Sequence, residues 1–334
     1  MKKDWVSLLI PCYNAEKYID SCMSCILKQI YQYIEIIFVN DGSFDKSEEK
    51  IFAYQDEIRK KGYILKYRYQ KNEGAASAIN TALKMVEGEF IMLYDVDDVL
   101  MPEAVAEKAQ YLKKNFRYDM VRNNGYYVNA DSPNLIKGEF VSDSTEKNNE
   151  DIFEMLLRGT TNNWPGSFMV RSEALFKQIK NRDIYVSQFG QNLQIMLPVA
   201  CFGKCGFIDK HLMNYMIYSN SHSHTTDINR KLELLNGYEQ NRIQIVKNLE
   251  LQREDKERFL SIIRRTYLQL RFDFAYNTKN FELLSENYKA LKKEKICTGR
   301  DKIFYWERKS CFIAFLLKIK RKYIVKITSG NLNE

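Results

Sequence analysis

Three carboxylates crowd into four positions at Asp95, Asp97 and Asp98, directly after the apolar run Ile91, Met92, Leu93, Tyr94. Strand interiors are depleted in Asp, and charges of one sign this close repel one another. Such a cluster is either a solvated turn or a place where something cationic binds. Hard oxygen donors of this kind suit Mg²⁺ or Mn²⁺, which keep some waters and take one or two protein carboxylates. Other residues with chemistry to offer also follow apolar runs. Pro11, Tyr13 and Asn14 follow one, Asp41 a second, and Lys71, Asn72 and Gly74 a third.

The elements that must position these residues are legible as alternating patterns. The runs 6–10, 34–39 and 89–94 are nearly continuous in apolar residues, as strands covered on both faces are, and 64–69 is a fourth strand. Apolar residues at spacings of three and four predict helices over 15–30, 45–60 and 74–86. Strand alternating with helix predicts a parallel α/β sheet with right-handed crossovers. In such sheets ligands bind beyond the carboxyl ends of the strands. All four polar loops are therefore expected on one rim. Beyond Pro102 the pattern loosens, with helices expected over 103–115, 151–158, from Ser172 and over 190–203. Extended segments are expected over 119–128 and 164–170, and a pair of strands over 206–218. The remainder reads as mainly helical, which places a boundary near 225: 1–225 as an α/β domain in two halves (1–100 and 101–225), and 226–334 as a helical region.

Composition narrows the class. Of 334 residues, 45% are hydrophobic and 28% charged, which excludes disorder and implies more than one core. The first residues predict no cleavable signal peptide, and no stretch approaches the roughly 18 apolar residues of a membrane span. Seven cysteines are scattered, and the CxxC at Cys22 and Cys25 lies within a helical stripe, so they read as small core residues in a reducing cytosol. The net charge is +8, and residues 300–327 hold nine Lys or Arg against Asp301 and Glu307, leaving the body almost neutral. With no nucleic-acid-binding signature elsewhere, this pattern argues against nucleic acid as partner.

Four segments in order, "VSLLIPCYN" (6–14), "EIIFVNDGSFDKS" (35–47), "NEGAASAIN" (72–80) and "GEFIMLYDVDD" (88–98), resemble glycosyltransferase family 2. The resemblance is dense over about the first hundred residues and weaker to about 225. It implies a GT-A fold, a Rossmann-like mixed sheet flanked by helices. It also implies an inverting transferase that moves a sugar from a UDP-sugar to a saccharide acceptor. By this resemblance Asp97 is a metal ligand, Asp95 contacts the donor ribose or the metal, and Asp98 supports the loop. Asp41 would accept the N3–H of uracil, with Tyr13 and Pro11 flanking the base. Lys71, Asn72 and Gly74 would approach the nucleotide or diphosphate. Asn40 stands where the family more often has Asp, and Ile79 where it often has Arg.

The resemblance departs most where the family offers a catalytic base in an "ED" pair. Gln191 and Asn192 stand there, and an amide cannot accept a proton at neutral pH. Either these two hold the acceptor while the base comes from elsewhere, with Asp183 as a candidate, or the chain is a non-catalytic nucleotide-sugar or saccharide-binding subunit. His224, or His222, would complete the metal site or hold the phosphate, while His211 reads as an ordinary strand residue. The segment 303–327 mixes aromatics, a core of seven apolar residues (Cys311 to Leu317) and clustered cations. It suits a helix lying on an anionic membrane surface, or one packing on the body or on a second copy in a homodimer. Membrane association on the cytoplasmic face would suit a lipid-linked saccharide acceptor in surface polysaccharide synthesis.

Overall fold

The structure is a computed structural model and describes residues 1–218 and 227–310. The chain divides into two compact units, one formed by Met1–Thr225 with Gln240–Phe259, the other by Thr226–Glu239 with Leu260–Glu334.

The first unit opens with β1 (Lys2–Cys12), α1 (Glu16–Leu27), β2 (Ile34–Asp41), α2 (Ser47–Ala53), α3 (Gln55–Lys60), β3 (Ile64–Gln70), α4 (Ala75–Met85) and β4 (Gly88–Leu93). β1 lies between β2 and β4, β3 flanks β2, and all four are parallel. Every residue of β2 is buried, because α1 covers one face of the sheet and α4 the other. Ile19, Cys22, Met23 and Ile26 of α1 pack with Leu8, Ile10, Ile36 and Phe38, and α4 lies on β1 and β2. The helix expected over 45–60 is two helices, since the chain turns out of helical geometry at Tyr54. Cys22 and Cys25 are free thiols buried in this core, and burial pushes Cys22 well above its ordinary value, away from redox or metal use.

The chain then forms β5 (Val99–Leu100), α5 (Ala104–Lys114), β6 (Met120–Asn129), β7 (Ser132–Glu139), α6 (Ser144–Lys147), α7 (Phe153–Arg158), β8 (Phe168–Arg171), α8 (Ser172–Gln178), α9 (Leu193–Phe202) and β9 (Cys205–Ile217). The nine strands make one sheet ordered β3-β2-β1-β4-β8-β6-β9-β5, with β7 beside β6. β8 is antiparallel to both β4 and β6, and β6 is parallel to β9. The carboxyl ends of β1, β2, β3, β4, β6 and β9 therefore face the same edge. The pair of strands expected over 206–218 is one continuous strand. Its irregularity is taken up as register shifts against Asn123 and Asn124, not as a turn.

The second unit is helical, drawing on α10 (Ile228–Asn248), α11 (Arg253–Asn277), α12 (Phe281–Lys293) and α13 (Gly299–Lys309). Its core is Phe272, Ala275, Leu284, Tyr288, Leu291 and Tyr305. Thr298 and Asp301 cap α13 reciprocally, satisfying two donors that a helix start leaves open. Among the described residues no helix is long and apolar enough to cross a membrane.

Candidate active site

The rim is built by loops that hold one another. After β1 the chain turns at Asn14, whose φ of 47° is left-handed, a geometry Asn tolerates. The Asn14 amide donates to Ser43 Oγ at 2.9 Å, and Asn14 Oδ1 accepts from the Phe44 amide at 3.1 Å. The Ala15 amide donates to Ser47 Oγ at 2.8 Å and the Glu16 amide to Asp45 at 3.0 Å. Tyr13 is half exposed and meets the edge of Phe44, itself 84% exposed. Two aromatic surfaces thus stand open at the ends of β1 and β2.

Asp41 is buried and already engaged. Its Oδ1 accepts from Gln70 Nε2 at 2.8 Å and from the Glu73 amide at 3.0 Å, and its Oδ2 from the Gly74 amide at 2.8 Å. A carboxylate has about four acceptor positions, so one on Oδ2 is open. Asp41 ties the β2 and β3 loops together whatever else it contacts. Gly42 completes the seam: its φ is +79°, and a Cβ there would lie 2.7 Å from the Asn72 amide nitrogen. Gly74 has φ +91° and begins α4, while Lys71 and Asn72 are exposed.

The acidic loop follows β4. Burial pushes the Asp95 carboxyl up to about 7, with the Asp97 charge adding to it. Burial raises Asp97 too, although its own backbone amide and the Lys17 charge pull the other way. Asp98 is the most buried of the three, and burial together with the charges of Asp95 and Asp97 raises it well above the carboxylate range. Asp98 Oδ1 accepts from the Met216 amide at 2.9 Å, whereas Oδ2 is buried with no hydrogen-bond partner. Tyr218 Oη donates to the Asp97 carbonyl at 3.3 Å, and Tyr94 Oη to the Asp98 carbonyl at 2.9 Å. The end of β9 therefore braces the loop, a support that no sequence pattern marks.

The donor set suits a divalent cation. Three desolvated carboxylates, one oxygen of them orphaned, are held at the cost of mutual repulsion that a cation offsets. Among the described residues no three Asp, Glu, His or Cys side chains converge on one point. A divalent ion at this loop would take one or two carboxylates, with Asp97 and Asp95 as the residues that would hold it, and its other ligands from phosphate and water.

On the other side of β4 lies the segment 160–167. Its Gly166 amide donates to the Leu93 carbonyl at 2.6 Å, at the end of β4. Arg122, fully buried in β6, donates through Nη1 to Asn162 Oδ1 at 2.9 Å and to Thr161 Oγ1. Asn192 donates its amide to the Asn163 carbonyl and, at 2.7 Å, to Asn163 Oδ1. Next to Asn163 stands Trp164, stacked on Tyr215 with centroids 4.4 Å apart, its Nε1 donating to Tyr127 Oη at 3.0 Å.

Residues 7–177, just over half of the chain, match the family described as "Glycosyl transferase family 2". The chain belongs to glycosyl transferase family 2. Among curated relatives, GlyG of Streptococcus pneumoniae is 34% identical over 131 residues, 39% of this chain and 42% of that protein. An uncharacterized glycosyltransferase of Rickettsia conorii is 34% identical over 134 residues, 40% of this chain but 21% of that protein. The chain thus spans less than half the length of these relatives. Residues 1–349 of Staphylococcus aureus TarS, solved with UDP-GlcNAc, share its fold at a TM-score of 0.58 and 18% identity, over 91% of this chain and 90% of that one. The mannosyltransferase PcManGT of Pyrobaculum calidifontis, solved with GDP-Man and Mn²⁺, gives 0.57 and 14%, over 96% and 80%. The GT-A fold expected from the sequence is the fold observed.

Within this family 2 chain, Asp183 is not at the rim. It pairs with Lys84 at 3.0 Å, and Lys84 lies in the last turn of α4, the end remote from Gly74. A helix of 11 residues separates its ends by about 15 Å, so Asp183 is set aside as the base. His211 stacks on Tyr126 at 3.9 Å and lies 3.2 Å from Glu139, a strand residue as expected. His222 and His224 lie outside the described residues, as does the tail from 311 on. The first part of the basic segment 303–327, residues 303–309, belongs to α13 and is tied into the helical unit. Tyr305 stacks on Tyr288 and Phe304 on Tyr276, each at 4.0 Å.

Proposed function

We propose that this chain is a sugar transferase that uses a nucleotide-diphosphate sugar, most simply a UDP-sugar, and a saccharide acceptor, with inversion at the anomeric carbon. The observation that carries the reading is the convergence of four strand-end loops on one rim, with the desolvated Asp95–Asp98 cluster between the donor-side loops and the 160–167 segment. Tyr13 offers a face for the base. The open lone pair of Asp41 Oδ2 suits an imide N–H, and Lys71 brings positive charge. Asp97 and Asp95 would hold Mg²⁺ or Mn²⁺. A bound divalent cation would supply charge neutralisation for the diphosphate leaving group.

In the reaction an acceptor hydroxyl oxygen bonds to the anomeric carbon, the carbon–oxygen bond to the diphosphate breaks, and the hydroxyl proton passes to a base. Gln191 and Asn192 hold and orient, since neither amide takes up a proton. A lipid-linked acceptor at the cytoplasmic membrane face is the companion proposal, motivated by the cations between Lys318 and Lys326. A second reading, a saccharide- and nucleotide-sugar-binding subunit without transfer, is favoured by one observation: Asn192 is committed to Asn163. A thermal-shift screen of UDP, GDP and their sugars, with and without Mn²⁺, tests the donor assignment. Stabilisation by UDP-sugars with Mn²⁺ supports it, and stabilisation by GDP alone would sink the role of Asp41. Labelled UDP-sugar incubated with acceptor extracts then separates transfer from mere binding.

A further inference from the structure

Asp41, the last residue of β2, is an acceptor almost fully used. A carboxylate offers about four lone-pair positions. Both on Oδ1 are taken, one by Gln70 Nε2 at 2.8 Å and one by the Glu73 amide at 3.0 Å, and one on Oδ2 is taken by the Gly74 amide at 2.8 Å. The two backbone donors come with the loop, but Gln70, the last residue of β3, is a side chain held in place by others. Thr81 Oγ1 donates to its Oε1 at 2.6 Å, and its Nε2 also donates to Ser77 Oγ at 3.2 Å. Ser77 Oγ in turn donates to Glu73 Oε2 at 2.9 Å. A hydroxyl donor on the oxygen of the Gln70 amide and a carboxylate on its nitrogen fix which end faces Asp41. Ser77 and Thr81 lie four positions apart on α4, hence on one face of that helix.

How many donors Asp41 can still accept decides which base edge fits. Uracil presents a single N–H, at N3, between two carbonyl groups. Guanine presents N1–H and an N2 amino hydrogen side by side, a pair matched to both oxygens of one carboxylate. With Oδ1 filled, Asp41 accepts one donor and leaves the second donor of guanine without a partner. Asp41 is only 3% exposed, and an unpaired donor in such a site is strongly disfavoured. Resting on the transferase reading above, we propose that Gln70 is a specificity-determining residue. By occupying Oδ1 it restricts Asp41 to a base with one donor, and so favours uracil over guanine in the nucleotide sugar. Thr81 and Ser77 are positioning residues that keep the Gln70 amide on Oδ1.

The test is calorimetric titration of UDP and of GDP, each with Mn²⁺, into the whole protein. Wild type is expected to prefer UDP. In Gln70→Leu the freed position on Oδ1 lets guanine pair through both donors. GDP affinity should therefore rise about tenfold, the gain of roughly one hydrogen bond, while UDP affinity stays within about threefold of wild type. A merely structural role for Gln70 would weaken both nucleotides together and leave their ratio unmoved, and that result overturns the proposal. Thr81→Val removes the hydroxyl at nearly constant shape and should shift the ratio the same way by a smaller factor. Thr81→Ser keeps the hydroxyl and should keep most of the wild-type preference. Should Gln70→Leu not fold, Thr81→Val decides: a UDP-to-GDP ratio equal to wild type rejects the proposal. Wild type that binds GDP at least as tightly as UDP overturns the role of Gln70 and leaves a nucleotide-sugar transferase standing. Wild type that binds neither nucleotide removes the donor reading, and this proposal with it.

Discussion

Asn192 donates both hydrogens of its side-chain amide to Asn163, one to the backbone carbonyl and one to the side-chain oxygen. A backbone carbonyl only accepts, so it is the amide nitrogen of Asn192, not its oxygen, that faces Asn163. The position at which the family resemblance implied a carboxylate is built here for a donor.

Asn192→Asp is therefore expected to place a carboxylate against two acceptor oxygens. The lost hydrogen bonds and the repulsion should cost about 1–3 kcal/mol at pH 7, read as a lower urea midpoint. Part of the loss should return as the pH falls through the new carboxyl's pKa, because the protonated acid can donate. No gain in sugar transfer is expected; a rise in the rate would show that the position still serves as a base site.

Asp41 satisfies three donors from the β3–α4 loop. Asp41→Ala leaves the Glu73 and Gly74 amides without that acceptor and should destabilise by about 2–4 kcal/mol while abolishing UDP binding. Asp41→Asn keeps an acceptor and should lie between. Calorimetric UDP titrations beside unfolding curves check the pair, and a stable Asp41→Ala protein with normal UDP affinity would contradict both roles.

Gly42→Ala tests the seam between the β2 and β3 loops. The φ of +79° and the 2.7 Å approach to Asn72 together predict a loss of about 1–3 kcal/mol. UDP affinity should weaken as well, since Asn72 and its neighbours must shift. Unchanged affinity in a stable variant would show that this seam does not shape the nucleotide site.

Lys108 is fully buried in α5, donating to Asn123 Oδ1 at 2.7 Å, and burial lowers its pKa to about 7. Between that value and the ordinary lysine value of about 10.4, the unfolded chain holds a proton that the folded chain has released. Stability therefore rises with pH across this window. Lys108→Met removes the dependence: it should stabilise most at pH 7 and below, and its advantage should fade towards pH 10. Thermal melts at pH 6, 8 and 10 read the effect, and an equal shift at all three would contradict it.

The parallel half of the fold was legible because β1, β2 and β4 are covered on both faces and α1 and α4 keep a clean apolar stripe. The place of Asp41, Asp95 and Asp97 on the rim was legible because each lies at or just beyond the end of one of those strands. What was not legible depends on partners distant in sequence. Met216 and Tyr218 brace the acidic loop from more than a hundred positions away, and no local pattern announces it. β9 read as two strands because its polar residues Asp209 and Lys210 look like a turn, whereas a register shift absorbs them. Asp183 looked available because sequence shows a carboxylate but not the Lys84 that pairs with it. Trp164 reads in the sequence only as the start of an extended segment, and its stacking on Tyr215 depends on the distant β6–β9 pairing.

The central claim is that the Asp95–Asp98 loop binds a nucleotide-diphosphate sugar together with a divalent cation. Isothermal titration of UDP-sugar into wild type and Asp97→Ala, each with Mn²⁺ and again with EDTA, addresses it most directly. The expected result is binding by wild type with Mn²⁺, and a loss of at least tenfold in affinity on adding EDTA or on substituting Asp97. Equal affinity in all four titrations, or binding of GDP-sugar in preference to UDP-sugar, would contradict the account.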